Sequence, residues 1–442
     1  MLCLEQVKRL WSTPAWILLV IFFTKDMAHG QFVEPCRAPS PQVFRGAAPS
    51  ESGRLVELVP SLCVSERYDS NVFFRPSTPG LQREDYVTSV NPMLRVNHKG
   101  DYTTGFLNMG GFSETFVNNS GLNFLGGNGT LALNLENTVK RVLPNAGLFI
   151  TDAVSYTPSP PGFVNPVAGT NPGAPENIQD VFAQGILFQR TNRVTNSGTV
   201  SATYATSAST MINASYSHSM LRFLSDSSTS QAGAQRAVFD TTAQTAAVGG
   251  SAQVSGVDTL NIRYSRTQSE FTRGSVSSFS FNTNTATIGW TRVVTPNITV
   301  EAGGGGIFID PGLTTYAANA ALVMNFANSR ATISYARSAF PSFAGVPTQL
   351  VGDVVSLSAV QQISPQWQLT GSANYSHSSG TSGTNAIKFD TYGGSVNLAY
   401  LISRIWSTAL GYNYLRFDRE AGAIRDKFDR HVVMFSLRAS WE

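Results

Sequence analysis

Side chains able to do chemistry are sparse in this chain and poorly placed to act together. Past the first 30 residues the histidines are His98, His218, His377 and His431. No pair of them has metal-ligand spacing, and none falls in a pattern that couples a nucleophile to a base. His98 sits in a short turn, whereas His218, His377 and His431 share the phase of the apolar residues around them. The glycine runs at 303–306 and 126–129 do not form phosphate loops: the first lies inside a strand pattern with no helix after it to receive an anion. Close packing or bending is the expectation there. Asn118, Asn128, Asn213, Asn297 and Asn374 each open an Asn-x-Ser/Thr sequon, a by-product of a chain rich in those residue types. Cys36 and Cys63 could close one disulfide in an oxidising compartment or stay as two thiols. The residues therefore predict no enzyme, no metal site and no cofactor.

What must position these residues is legible in the composition. The chain has 442 residues, of which 13% are charged, about half of the roughly 25% usual in soluble domains. Mean hydropathy is near zero, so Gly, Ser, Thr, Asn and aromatics fill the gap left by charge. A membrane barrel tolerates that economy, because one face of each strand meets lipid and the other a polar lumen. The net charge of +3 is too small and too scattered to argue for nucleic acid. Residues 1–30 read as a signal peptide. Lys8 and Arg9 precede the apolar core 15–23, and Ala28-His29-Gly30 offers small residues before Gln31. That core is too short for a membrane-spanning helix, which needs about 20 apolar residues. A periplasmic segment, 31–54, and a barrel, 55–442, complete the expected organisation.

From about residue 55 the apolar period is two, with turn residues between runs. In 366–377, Trp367, Leu369, Gly371, Ala373 and Tyr375 share one face, and Gln368, Thr370, Ser372, Asn374 and Ser376 the other. The same sorting recurs around Ile262, Ile212, Leu398 and Phe435. Short turns (97–101, 255–258, 294–297, 327–329, 364–365, 403–405) alternate with longer polar stretches (75–84, 157–185, 225–235, 341–348, 379–385, 419–427), with 310–312 a short exception. This order of short periplasmic turns and long outer loops marks outer-membrane barrels. The expected fold is all-β, a transmembrane antiparallel up-and-down barrel of about 18 strands, with 16 as the alternative because Asp152 interrupts the fifth strand and 236–254 alternates poorly. The strands fall near 55–74, 85–97, 101–115, 121–136, 144–156, 186–206, 209–224, 236–254, 258–272, 278–293, 297–309, 313–326, 330–341, 349–363, 366–378, 386–402, 406–418 and 428–441.

Aromatics and charges assign the faces. Trp290, Trp367, Trp406 and Trp441 fall on apolar phases near short turns or the last strand's end, predicting a periplasmic girdle, with Tyr264, Tyr375 and Tyr414 further outward. Arg95, Arg263, Glu301 and Arg438 fall on polar phases and are expected to face the lumen, where they either tune ion selectivity or form local wall pairs. The stretch 157–185 is rich in proline and glycine. It either folds inward as a constriction carrying Glu176 and Asp180 or remains an exposed outer loop.

The run Tyr68-Asp69-Ser70-Asn71-Val72-Phe73-Phe74, followed by Tyr86-Val87-Thr88-Ser89-Val90-Asn91-Pro92-Met93-Leu94-Arg95-Val96, resembles the opening hairpin of the β-barrel porin type 2 family. The run 193–197, leading to Tyr204 and Tyr216, is similar in style. The resemblance spans about residues 55–442, specific at the first hairpin and diffuse beyond it. It implies a bacterial outer-membrane barrel and passive transport, with some members tied to exopolysaccharide systems, and it supplies no catalytic residues. One departure is the end, where Glu442 follows Trp441 instead of a terminal aromatic.

Three functions follow as expectations: a pore for passive diffusion of small polar solutes or sugars, a channel for exopolysaccharide export, or a structural or adhesive barrel with a plugged lumen. The partners implied are outer-membrane lipid, the barrel-assembly machinery and, for export, periplasmic polysaccharide-export proteins. A homo-oligomer is a further candidate, and nucleic acid is not expected.

Overall fold

Period-two alternation is realised as strands that pair in chain order and close on themselves. The computed structural model describes residues 56–73, 83–157, 192–224, 240–273, 277–310, 312–342, 348–382, 385–421 and 424–441. Its strands are β1 (Val56–Asp69), β2 (Asp85–Lys99), β3 (Thr104–Phe116), β4 (Phe124–Asn134), β5 (Ala146–Thr157), β6 (Arg193–Ala205), β7 (Thr210–Phe223), β8 (Asp240–Gln253) and β9 (Asp258–Arg273). There follow β10 (Ser277–Thr295), β11 (Ile298–Asp310), β12 (Leu313–Phe326), β13 (Ser329–Ser342), β14 (Thr348–Gln362), β15 (Trp367–Ser382), β16 (Asn385–Leu401), β17 (Trp406–Ala421) and β18 (Ile424–Ser440). All belong to one 18-stranded sheet, and the β1–β18 pairing closes it into a barrel. Eighteen is therefore the count, not 16.

Each hairpin joins neighbours, so every ladder is antiparallel. Both strands that looked doubtful pair fully. β8 lies between β7 and β9 in unbroken register. In β5, Asp152 keeps to the outward phase of Ile150 and Val154, and its carboxylate accepts a hydrogen bond from Asn196 Nδ2 on β6 at 3.1 Å. A polar partner on the next strand thus lets an acidic residue sit among outward apolar ones.

The alternation of short and long connections has exceptions. The turn at Gly312 is short although it lies at the outer end, and it uses a positive φ of 86° that glycine adopts without strain. On the opposite rim the β4–β5 connection carries a short helix, α1 (Glu136–Val139). That segment is pinned to the β2–β3 turn by Thr138 Oγ1 donating to the Tyr102 carbonyl at 2.9 Å and by the Arg141 guanidinium over the Tyr102 ring. The glycine run of β11 serves close approach: a Cβ at Gly305 would meet the Ala286 carbonyl oxygen at 1.8 Å. The expected signal peptide 1–30 and the segment 31–54 lie outside the described residues, as do Glu176 and Asp180. Cys63 is disulfide-bonded, and Cys36 also lies outside the described residues.

The two faces differ sharply. Outward positions include Leu62, Val64, Tyr216, Ile262, Ile288, Val396, Leu410, Val433 and Phe435, all large, apolar and exposed on the isolated chain. Inward positions on the same strands are Ser61, Ser65, Ser269, Ser395, Asn413 and Ser436, all buried. Exposed apolar surface around the whole circumference is what a lipid-facing wall requires.

Closure predicts that unheated protein in mild SDS migrates differently from boiled protein. Identical mobility with a helical circular dichroism spectrum would contradict the barrel. The sorting of faces predicts that Leu369→Arg hinders assembly by less than the about 2–4 kcal/mol that Arg costs at mid-depth, since Leu369 lies only two residues inside the Trp367 belt. Ser372, whose hydroxyl meets that of Ser395 at 2.6 Å on the inward face, should accept arginine with the loss of about 1 kcal/mol. Yields of heat-modifiable barrel in refolding assays measure both.

Candidate functional site

Two aromatic belts bracket the apolar wall. Trp367 and Trp406 begin β15 and β17, Trp441 follows the last residue of β18, and Trp290 faces Leu260 near the start of β9. All four take the outward phase at the rim of the short turns. Trp290 Nε1 donates to Asp258 Oδ1 at 3.0 Å, and Trp367 packs against Tyr400 at 4.5 Å between ring centroids. Toward the other rim, outward tyrosines donate to polar groups on the next strand. Tyr264 bonds Asn284 at 2.9 Å, Tyr375 bonds Asp390 at 2.9 Å, Tyr414 bonds Asp429 at 2.8 Å and Tyr335 bonds Asp353 at 2.7 Å. A ring with an apolar body and a wet tip suits the level where hydrocarbon gives way to headgroups.

This is a bacterial outer-membrane β-barrel.

No protein-family model and no curated protein matches the chain. Among solved structures it is similar to the outer membrane protein OpdK from Pseudomonas aeruginosa, at 10% identity and a TM-score of 0.43 over 87% of this chain and 99% of that one. OpdQ from the same organism matches at 10% identity and a TM-score of 0.41, covering 88% and 98%. The siderophore receptor PirA from Acinetobacter baumannii matches at 8% identity and 0.41, covering 86% and 80%. Likeness this remote says nothing of cargo, and the assignment rests on the wall described above.

The lumen is the remaining surface on which function can reside. It carries hydroxyls in cross-strand pairs: Ser334 with Ser356 at 2.6 Å, Ser155 with Thr195 at 2.6 Å and Thr245 with Thr267 at 2.9 Å. Near the tryptophan rim the four charged residues singled out from the sequence take inward phases, with Glu57 and Arg330 in the same phase beyond them. Arg95 on β2 and Arg438 on β18 flank β1, while Arg263 on β9 and Glu301 on β11 flank β10, half the ring away. Arg95 Nε donates to Asn97 Oδ1 at 2.7 Å and its guanidinium lies 4.8 Å from the Phe106 ring. Arg438 reaches Ser61 Oγ at 3.4 Å.

A second charged group lies toward the outer mouth and was not singled out by the sequence reading. Arg67 pairs with Glu114 through both guanidinium nitrogens, Nη2 at 3.0 Å from Oε2, and Asp69 lies 4.0 Å from Arg67 Nε. Arg430 on β18 donates to both Asp69 oxygens, Nε at 2.9 Å. Beside them Asp85 accepts from the backbone N–H of Asn118 and Asn119 at 2.9 and 2.8 Å, and from Asn119 Nδ2 at 2.7 Å, which ties the β3–β4 connection to the wall. The one signal in the sequence was Arg67 and Asp69 continuing the inward phase of Cys63 and Ser65. Beside this lattice Val72, Val87 and Phe116 form a buried apolar cluster, with the Arg67 guanidinium 6.0 Å from the Phe116 ring. Elsewhere the outer strand ends also turn large apolar side chains inward, Leu221, Phe271, Leu350 and Phe417 among them, all fully buried.

The histidines stay apart from this lumen chemistry. His98 lies in the last residues of β2 and not in a turn, and bonds Thr103 across the hairpin; His377 bonds Asp390, and His431 meets Tyr412. Among the described residues no group of three or more His, Cys, Asp or Glu is arranged to hold a metal ion.

Burial makes the charged lattice sensitive to partial removal. Glu114→Ala leaves the Arg67 guanidinium buried without its bidentate partner and should cost about 3–5 kcal/mol. Replacing both residues with apolar ones of similar volume should recover most of that. Urea midpoints of the folded barrel in detergent test the pair; equal midpoints for wild type and Glu114→Ala would show the lattice to be energetically idle.

Proposed function

We propose that the protein is a pore for passive diffusion of small polar solutes, sugars among them, across the outer membrane. One observation carries the reading: inside a wall that is apolar outward, the inward face of the spanning strands carries many Ser, Thr, Asn and Gln side chains, interspersed with small apolar residues such as Ala243, Ala317 and Ala321. Cross-strand pairs such as Ser372–Ser395 and Ser334–Ser356 leave further lone pairs and rotatable hydroxyls for solute. Such a surface exchanges hydrogen bonds with water or a sugar at little net cost. The resemblance of the opening hairpin to the β-barrel porin type 2 family agrees with it.

A second reading, a structural or adhesive barrel with a plugged lumen, draws on the fully buried inward Phe271 and Phe417. An apolar layer packed at the outer mouth would serve to close that end.

Recordings of purified protein in planar bilayers, with swelling assays on vesicles in sugars of graded size, separate the two. The pore reading predicts discrete conductance steps and swelling that falls with sugar size. An assembled, heat-modifiable barrel that passes neither ions nor sugars would leave the plugged reading.

A further inference from the structure

We propose that residues 37–54 run inside the barrel, along the inward face of β1 and β18, anchored there by a disulfide between Cys36 and Cys63. The inference goes beyond the pore reading. It begins with Cys63, which stands opposite Arg438 on β18 and Asn91 on β2, in the inward phase of Ser61 and Ser65, and is 3% exposed. Its sulfur is disulfide-bonded. The chain has three cysteines. Cys3 belongs to the expected signal peptide, so Cys36 is the partner. A disulfide holds its two Cα atoms about 4–7 Å apart. Cys36 then sits on the lumen side of the wall, at the depth of Cys63.

Chain length fixes the route. β1 leaves the periplasmic rim at Val56, and Cys63 stands about 23 Å along the strand. The chain from Cys36 to Val56 spans at most about 66–72 Å when fully extended. It reaches from the rim to Cys63 inside the lumen with length to spare. A route outside is barred, because the β1–β18 ladder closes the wall and Cys63 points inward.

The wall along that route behaves as a covered surface. Val59, inward between Cys63 and the rim, is 5% exposed, and Ser440, Ala409 and Ala399 on the neighbouring strands are buried with it. On the opposite arc the inward Asn108, Thr130, Thr151 and Ala153 stay partly exposed. Ser65 and Ser436 stand directly opposite each other, and both hydroxyls are buried without a hydrogen-bond partner among the described residues. Burial of a lumen-facing wall requires a cover, and unpaired buried hydroxyls require a polar one. The sequence of 37–54 suits that place. Pro39, Pro41 and Pro49 favour an extended backbone without internal hydrogen bonds, which leaves its N–H and C=O groups for the wall. Gly46, Ala47, Ala48 and Gly53 keep it slim. Lodged there, the segment narrows the lumen from one side.

The test uses full-length purified protein, assembled and unreduced. Peptide mapping without reductant should join a peptide carrying Cys36 to one carrying Cys63. Arg45 offers trypsin a cleavage site, and a protease is too large to enter the lumen. Cleavage there should be at least tenfold slower in the folded barrel than in the boiled chain, and Cys36→Ser should lose part of that protection. In planar bilayers a variant lacking 31–54, with Cys63→Ser to remove the orphan thiol, should conduct severalfold more than wild type. If that variant does not assemble, the mapping and the trypsin rates decide alone. Cys63 found as a free thiol or joined to Cys3 overturns the proposal. So does Arg45 cut equally fast in folded and boiled protein, or a truncated barrel with the conductance of a conducting wild type. Silence of assembled barrels both with and without the segment overturns the pore reading, whereas a mapped Cys36–Cys63 link with a protected Arg45 upholds this inference.

Discussion

Everything in this molecule follows from the cost of a backbone amide or carbonyl left without a partner in hydrocarbon, several kcal/mol for each group. A strand cannot satisfy its own backbone, so a membrane-spanning sheet has to meet itself. The β1–β18 ladder, from Ser61 opposite Ser440 to Asp69 opposite Val432, is where that demand is met. Once the sheet is closed, alternation needs no further cause: one side of every strand must dissolve in lipid, and the other encloses whatever the lipid excludes.

The lumen inherits its character from that division. Residues barred from the outer wall by solvation collect inside, and there they must either bond one another or bond solute. Both solutions are present at different depths. Along the span, hydroxyl pairs are interspersed with small apolar residues such as Ala243 and Ala321. Near the outer mouth, carboxylates and guanidiniums are buried deeply enough to require each other, beside the apolar cluster of Val72, Val87 and Phe116. The exterior repeats the logic with aromatic belts: tryptophan at one rim, and at the other tyrosines whose hydroxyls bond acceptors on the adjacent strand.

How much of this the sequence disclosed depended on range. Faces follow from a period of two, so Leu369 and Ser372, or Phe435 and Ser436, could be sorted by inspection. Strand ends near short turns were legible within a few residues, because Gly, Asn, Asp and Pro punctuate them. The inward phases of Arg95, Arg263, Glu301 and Arg438 could be read the same way. What could not be read was anything that depends on which residue stands opposite which. Asp152 looked like an interruption of β5 because its partner, Asn196, lies 44 residues away. Tyr375 could be assigned to a belt, but not to Asp390. Arg67 and Glu114 were ordinary charges until two ladders brought them together. The helix Glu136–Val139 was missed for a related reason: it is held by contacts to the neighbouring turn around Tyr102.

The pair Asp69–Arg430 joins the first strand to the last, across 361 residues of chain. A slip of one residue at that junction would turn every side chain to the wrong face, and the hydrophobic effect alone would forbid it. A slip of two is a subtler error, since inward residues would stay inward and the wall would look correct to lipid. It would, however, draw Asp69 away from Arg430 and strand two charges in a nearly dry place. The clasp therefore acts as a proof-reader of alignment, distinguishing the true junction of the two chain ends from its near-copies.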